Sequence, residues 1–372
     1  MKILVIGHTY INPINHGKWL TWSKRFPEDD LCIITPKKWK DSLHFVQAKN
    51  DLHEKNLQIR SFKTFFNFKE RTHFYSWKFW KFLHTYDPQI VHVEQGQGSF
   101  QLLLIIFFKN IFLKKFKISF FSWINWKQSY FPILREIESF NISYSDGFIA
   151  GNLLASQLIL KKNPQLIYQT SPLMGVDSIF FNVKKCPVAL SNSKIKFSFF
   201  GRFVHEKGIF DLLEAFQNLE SSNNELFFFG SGPLLSMIKN YMEKNKRIFY
   251  GGILTHQEIP FQMSQMDVVI LPSKTTKRWA EQLGHVLLEA FCLKKLTIGS
   301  SSQAIKDVIG DCGLIFKEGD SLELKEKMEF VQLNPQACKA FIDKAFIRYQ
   351  NLFSNESICD QTKSFFEALT KF

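Results

Sequence analysis

Val268-Val269-Ile270-Leu271, then a polar loop, then Ala280-Glu281-Gln282-Leu283-Gly284-His285-Val286-Leu287-Leu288-Glu289-Ala290: this stretch decides how the chain is read. It is laid out as a strand, a loop and the start of a helix, expected at Glu281–Cys292. Glu281 stands at the helix entrance and Glu289 two turns inside. Two carboxylates so placed can grip two separate hydroxyl-bearing parts of one ligand. The amides of the first helical turn lie between them and can hold an anion. Hydroxyl, anion, hydroxyl is the layout of a nucleotide sugar: ribose, diphosphate, hexose. A glutamate pair at this spacing is usually solvated helix surface, and here Gly284 between the pair and the strand before it favour a ligand site.

Working outward, short apolar strands alternate with helical stretches along the whole chain, the pattern of parallel α/β sheets. Strands are expected at Lys2–Ile6, Leu31–Thr35, Ile90–Val93, Lys117–Phe121 and Gly147–Ala150, and the pattern restarts at Ile195–Phe200, Glu225–Phe229, Arg247–Tyr250, Val268–Leu271 and Leu296–Ile298. Helices are expected between them, among them Ile209–Leu219 and Leu234–Glu243. Ser171–Lys194, rich in Pro, Ser, Asn and Lys, reads as the link. The expected organisation is therefore two doubly wound domains, 1–177 and 178–354, facing a cleft where ligands usually bind. Residues 355–372 carry Ile358, Phe365, Phe366, Leu369 and Phe372 at helical spacing and read as an amphipathic helix packed back on a domain surface.

Composition narrows the class. The 372 residues are 45% hydrophobic, with 41 Phe, enough for two real cores. Six scattered cysteines without a C-x-x-C pair fit reduced thiols in the cytoplasm, not a zinc site or a disulfide framework. Met1–Gly7 is too short for a signal peptide, and the apolar run Phe100–Phe108 is too short to span a bilayer. The net charge of +13 is uneven: residues 1–177 hold 23 Lys+Arg against 13 Asp+Glu, residues 178–372 hold 24 against 21. A basic first half suits an anionic substrate or membrane leaflet. Nucleic acid is disfavoured, because no helix-turn-helix or RNA-binding signature accompanies the charge.

Two further loops could bind a diphosphate. Phe199-Phe200-Gly201-Arg202-Phe203-Val204-His205-Glu206-Lys207-Gly208 ends a strand on glycine, supplies two cations and opens a helix. Phe229-Gly230-Ser231-Gly232-Pro233 repeats the strand-to-helix turn, with Gly232 permitting close backbone approach and Pro233 suited to a first helical position. Taken singly, the first is as well read as a surface loop with incidental cations, and the second as a tight turn.

Together with Leu271-Pro272-Ser273, Glu281…Glu289 and Gly299-Ser300-Ser301-Ser302, these loops resemble the GT-B glycosyltransferases, specifically the retaining enzymes of family 4. Pro172-Leu173-Met174-Gly175-Val176-Asp177 is similar to that family's linker. The resemblance is strong over roughly residues 172–320 and loose in the first half. It implies a metal-independent hexosyltransferase without a cofactor, using a UDP- or GDP-linked sugar. Arg202 and Lys207 would neutralise the diphosphate, Glu289 would hold the ribose, and Glu281 would face the hexose. The backbone at Gly201, Gly232, Gly284, His285 and Val286 would complete the donor site. The acceptor would be a glycan or a lipid-linked or lipopolysaccharide-type molecule. Two departures stand out. Asn15-His16-Gly17 replaces a glycine pair, and Gln303 with Asp307 replaces a G-x-x-E loop.

On the acceptor side, Asp87-Pro88-Gln89-Ile90-Val91-His92-Val93-Glu94-Gln95-Gly96 resembles the family's D-P-x-x-V-H segment. It offers His92 and Glu94 as catalytic candidates, with Gly17, Glu94, Gln95 and Asn125 (in Trp123–Gln128) as acceptor contacts. His92 reads equally well as a buried strand histidine. Arg60–Leu83 interleaves aromatic and basic residues, which suits peripheral docking on the inner face of an anionic membrane or, more plainly, a Phe-rich core beneath a basic surface. Two other readings keep the fold: a sugar-nucleotide epimerase, and a non-catalytic membrane-associated nucleotide-sugar-binding protein. The retained Arg202, Lys207, Glu281 and Glu289 argue against the latter.

Overall fold

The computed structural model describes residues 1–40, 45–48, 52–66, 71–126, 131–181, 194–220, 223–277 and 279–371. Most of the expected linker, with Cys186, lies outside the described residues, as do Phe68, Lys69, Lys127, Gln128 and Phe372. The chain forms two compact units, Met1–Gly175 with Asn355–Phe372, and Val176–Ser354. The crossing falls at 175/176, two residues before the expected boundary, and the C-terminal segment joins the first unit.

In the first unit, β1 (Lys2–Ile6) and β2 (Asp30–Pro36) are followed by a small pair, β3 (Lys38–Lys40) and β4 (Phe45–Gln47). Then come β5 (Leu52–Glu54), β6 (Leu57–Phe62) and a second small pair, β7 (Thr64–Phe65) with β8 (Phe74–Tyr75). β9 (Ile90–Val93), β10 (Lys117–Ser122), β11 (Gly147–Ala150) and β12 (Ile167–Thr170) complete the strands. Eight of them form one sheet in the order β12-β11-β10-β9-β1-β2-β6-β5, parallel except for β5 against β6. The sheet is buried on both faces, as the near-continuous apolar strands require. Leu4, Ile6, Cys32, Ile34, Val91 and Val93 fill one face, while Ile3, Val5, Leu31 and Ile33 fill the other. Helices α1 (Gly17–Arg25), α2 (Trp77–Tyr86), α3 (Phe100–Ile111), α4 (Pro132–Ser143) and α5 (Leu153–Leu160) connect the strands.

The second unit carries β13 (Lys196–Arg202), β14 (Glu225–Ser231), β15 (Ile248–Tyr250), β16 (Val268–Leu271), β17 (Leu296–Ser300) and β18 (Leu314–Phe316). They form one all-parallel sheet in the order β15-β14-β13-β16-β17-β18. Its helices are α6 (Ile209–Gln217), α7 (Leu235–Lys244), α8 (Ile259–Ser264), α9 (His285–Cys292), α10 (Gln303–Ile309), α11 (Ser321–Leu333) and α12 (Pro335–Leu352). Pro233 falls in the turn before α7 instead of opening it. The strand order reverses between β13 and β16, the place where open α/β sheets receive ligands at their carboxyl ends.

The last helix, α13 (Asn355–Thr370), returns to the first unit and buries Ile358, Cys359, Phe365, Phe366 and Leu369. Phe366 packs on Trp22 of α1 with ring centroids 5.9 Å apart, and burying such a side chain contributes roughly 1.5–3 kcal/mol. Arg25 grips Asp360 with two hydrogen bonds of 2.5 and 2.7 Å, and Lys363 meets Asp29 at 2.7 Å.

The aromatic and basic stretch Arg60–Leu83 divides between interior and surface. Tyr75, Phe79 and Leu83 enter the core, and Phe62, Trp80 and Phe82 pack against it, whereas Phe65, Phe66 and Trp77 are exposed. Along α2 the buried residues are Phe79, Leu83 and Tyr86, spaced four and three apart on one helical face. Much of the stretch expected at a membrane surface is therefore core. Among the described residues no helix is long and apolar enough to cross a membrane.

Candidate functional site

In the second unit, four loops follow the carboxyl ends of β13, β14, β16 and β17. β13 and β14 run in register to their ends, with Gly201 opposite Gly230 and Arg202 opposite Ser231. Phe203 N donates to Ser231 O at 2.7 Å, which fixes the turn where Gly232 follows. Arg202 stands exposed at the end of its strand.

The turn His205–Lys207 then closes onto the loop after β16. Gly208 has φ of +65°, and a Cβ there would lie 1.8 Å from Pro272 O. Only glycine meets both demands, so we expect Gly208→Ala to destabilise the fold by about 3 kcal/mol or more, from left-handed strain together with overpacking. Chemical denaturation measures it; a change under ~1 kcal/mol would show that this contact is not tight.

That close approach delivers Lys207. Its Nζ lies 2.5 Å from Glu281 Oε2 and 5.3 Å from the Trp279 ring centroid. Ser273 Oγ donates to the same carboxylate oxygen at 2.9 Å. Glu281 is 8% exposed, so ammonium, hydroxyl and carboxylate form a largely desolvated group in which each partner holds the others in place. Ser300 Oγ donates to Ser273 O at 2.6 Å, tying the end of β17 to the same loop.

Glu281 lies outside the helix, which corrects the expected start. Gly284, with φ of +75°, is the N-cap, and α9 begins at His285. Glu289 is consequently one turn inside, not two. The helix opens at His285 and Val286 with no side-chain cap and no acidic residue in its first turn, leaving amides and the positive helix end for an anion. His285 Nδ1 lies 3.3 Å from Glu289 Oε1. Nearby, His256 stacks on Phe180 at 4.5 Å with the rings 5° from parallel, and burial lowers its pKa against the opposing pull of Glu289.

The departure at the last loop has a local explanation. Gln303 and Asp307 both sit in α10, where Gln303 Nε2 donates to Asp307 Oδ1 at 3.2 Å. Burial raises the Asp307 carboxyl against the pull of that bond.

The first unit has its own switch in strand order, between β1 and β9. Glu94 N donates to Ile6 O there at 2.8 Å. The Glu94 side chain is buried, and burial pushes its carboxyl up to about 7, against the pull of the Lys18 charge and the Tyr10 hydroxyl. His92 is fully buried. Its Nδ1 lies 2.8 Å from Ser119 Oγ, its Nε2 lies 3.9 Å from Glu94 Oε1, and its ring packs on Phe366 at 5.4 Å. Burial holds the imidazole well below its usual range. His92 is thus a buried strand histidine beside Glu94. Gln95 Nε2 meets His73 Nε2 at 2.9 Å. Gly17 is the first residue of α1, and Asn125 is buried in the loop after β10.

Tyr10, Lys18, Ser273 and Trp279 belong to these groups although no role was expected of them. Ser273 was within reach as the serine of Leu271-Pro272-Ser273. Lys18 and Tyr10 carry no such signal, because a buried lysine looks like any other in sequence. Among the described residues no group of three His, Cys, Asp or Glu is placed to hold a metal ion.

Comparison with known proteins places this geometry. The family model for glycosyl transferases group 1 matches residues 184–348. An uncharacterized 41.2 kDa protein in the cps region of Klebsiella pneumoniae is 24% identical over 278 residues, 69% of this chain and 74% of that protein. The capsular polysaccharide biosynthesis glycosyltransferase CapM of Staphylococcus aureus is 24% identical over 192 residues, 49% of this chain and 48% of CapM. Among solved structures, Anabaena Alr3699/HepE in complex with UDP superposes with a TM-score of 0.72 at 14% identity, covering 100% of both chains. With its motifs seated at the switch point of a doubly wound sheet, the chain has the GT-B fold, and its residues 184–348 resemble the glycosyl transferases group 1.

Proposed function

We propose that the protein is a retaining, metal-independent hexosyltransferase. It would move a hexose from a UDP- or GDP-linked sugar to a glycan or lipid-linked acceptor in cell-surface polysaccharide or lipopolysaccharide synthesis. The observation that carries this reading is the Lys207–Glu281 pair beside the uncapped start of α9. Lys207 and Arg202 offer two cations to a diphosphate, the His285 and Val286 amides add a positive helix end, and Glu281 and Glu289 offer acceptors on either side. The bond from C1 to the diphosphate oxygen breaks, and its electrons leave with the nucleoside diphosphate. The acceptor hydroxyl attacks C1 from the same face, and its proton passes to the departing phosphate oxygen. The cations and amides stabilise the charge that develops there. The two named relatives support the polysaccharide context: one is a capsular glycosyltransferase, the other is encoded in a cps region.

Calorimetry with UDP and GDP tests the donor. One of them is expected to bind, and Arg202→Ala and Glu289→Ala are each expected to weaken it at least ~10-fold, the loss of one charge-assisted hydrogen bond. The reading fails if neither nucleotide binds the wild type.

A further inference from the structure

Helix α3 and the turn after it leave an apolar surface uncovered on the first unit. The helix is apolar on nearly every side, broken only by Gln101, Lys109 and Asn110. A helix of that kind belongs in an interior or against lipid. Here only one side is covered. Leu102, Ile105, Ile106 and Phe108 enter the core, whereas Phe107 is exposed and Ile111, four residues on, is 71% exposed. Phe107 stacks on Phe140 of α4 with ring centroids 5.4 Å apart, and Phe140 meets the exposed Tyr144 at 4.4 Å, which extends the surface.

Leu113 is an independent observation. It follows the helix end with φ of +50°, and Lys114 N donates to Lys109 O at 2.9 Å around it. Glycine is usual at that place, because a Cβ strains the left-handed backbone. The leucine takes that strain and still leaves its side chain 86% exposed. It gives the fold neither a relaxed turn nor buried apolar area. Strain kept at an exposed apolar tip points to a contact outside the chain. The tip is also held in place: Lys114 Nζ donates to Asp87 Oδ1 at 2.8 Å and to His84 O at 3.1 Å, tying the turn to the end of α2.

Charge selects the partner. No residue in Trp77–Tyr86 or Phe100–Lys117 is acidic. Lys114 holds Asp87, and Lys109 and Lys117 share Asp146 at 3.4 and 3.6 Å. Lys115 is exposed beside the tip. Lys81 is exposed one turn before His84, whose ring lies 5.6 Å from that of Phe112. Neither lysine has an ion-pair partner among the described residues, so the border stays cationic after its own carboxylates are matched. An apolar centre with a cationic border suits the interface of an anionic bilayer. A second copy across a twofold axis would set cationic border against cationic border.

We infer that this surface docks the protein on an anionic lipid bilayer, with Phe107, Ile111 and Leu113 entering the acyl boundary and Lys81 and Lys115 meeting the headgroups. The inference stands apart from the transferase reading, since no group of the donor site takes part.

Co-sedimentation of the full chain with phosphatidylglycerol-containing vesicles and with pure phosphatidylcholine vesicles tests it. Wild type is expected on the anionic vesicles, with retention falling as salt rises. Ile111→Ser/Leu113→Gly is expected to weaken retention at least ~10-fold, through loss of inserted apolar area. Leu113→Gly alone relieves the turn, so it is expected to raise the thermal transition while lowering retention, a pairing that loss of the fold cannot produce. Lys81→Gln/Lys115→Gln is expected to weaken retention by about fivefold per lysine and to flatten its salt dependence. Absence of wild-type retention at low salt overturns the inference. Equal retention by wild type and Ile111→Ser/Leu113→Gly, or on the two kinds of vesicle, does the same. Self-association in sedimentation velocity that this variant abolishes, without vesicle binding, overturns it in favour of a second copy.

Discussion

Replacing Lys207 by methionine is expected to lower kcat/KM for sugar transfer by about 10²–10³-fold, the usual consequence of removing one preorganised group that meets developing charge. The unfolding temperature is expected to fall as well. The Glu281 side chain is 10% exposed, and the substitution strips its Oε2 of an ammonium 2.5 Å away. A desolvated carboxylate deprived of its cation costs on the order of 3 kcal/mol. The two consequences separate in the double variant Lys207→Met/Glu281→Gln. Glutamine removes the stranded charge while preserving the shape, so stability should return and activity should not. Recovery of transfer along with stability would reduce Lys207 to a prop for Glu281 and remove it from the reaction.

The second large effect concerns stability. Glu94→Gln is expected to raise it above pH 7 by up to ~3 kcal/mol and to leave it nearly unchanged at pH 4.5. Burial lifts the carboxyl from 4.5 to about 7. Between those values the folded protein keeps a proton that the unfolded chain releases, so wild-type stability falls as pH rises through this window. His92 contributes with the opposite slope. Burial keeps it neutral while the unfolded chain takes a proton below about 6.5, so its contribution falls as pH drops. The variant retains His92 and lacks Glu94, so the difference between the two proteins isolates the carboxyl. Lys18, which burial disfavours and Glu94 supports, subtracts from the gain. Urea unfolding at several pH values measures it, and a difference independent of pH would contradict the assignment.

The second unit was legible because its chemistry is carried by contiguous loops. Gly201-Arg202, Lys207-Gly208 and Glu281…Glu289 each lie at a strand or helix end, where sequence order and spatial order agree. What escaped was the backbone detail: Gly284 in the left-handed region ends the loop three residues after Glu281, and so sets where α9 begins. In the first unit the same kind of reading goes less far. Aromatic and basic residues alternate through Arg60–Leu83, but α2 turns Phe79 and Leu83 inward and Trp77 and Lys78 outward. His92 shows the converse: a motif match located the residue, and only burial revealed that it lies in the core.

The return of α13 to the first unit also orders events during synthesis. Residues 176–354 are contiguous and can complete their core as soon as they leave the ribosome. The earlier-made unit must wait, with Trp22 and its neighbours uncovered, for residues 355–372. Of the two units, the one translated earlier is therefore the one completed later.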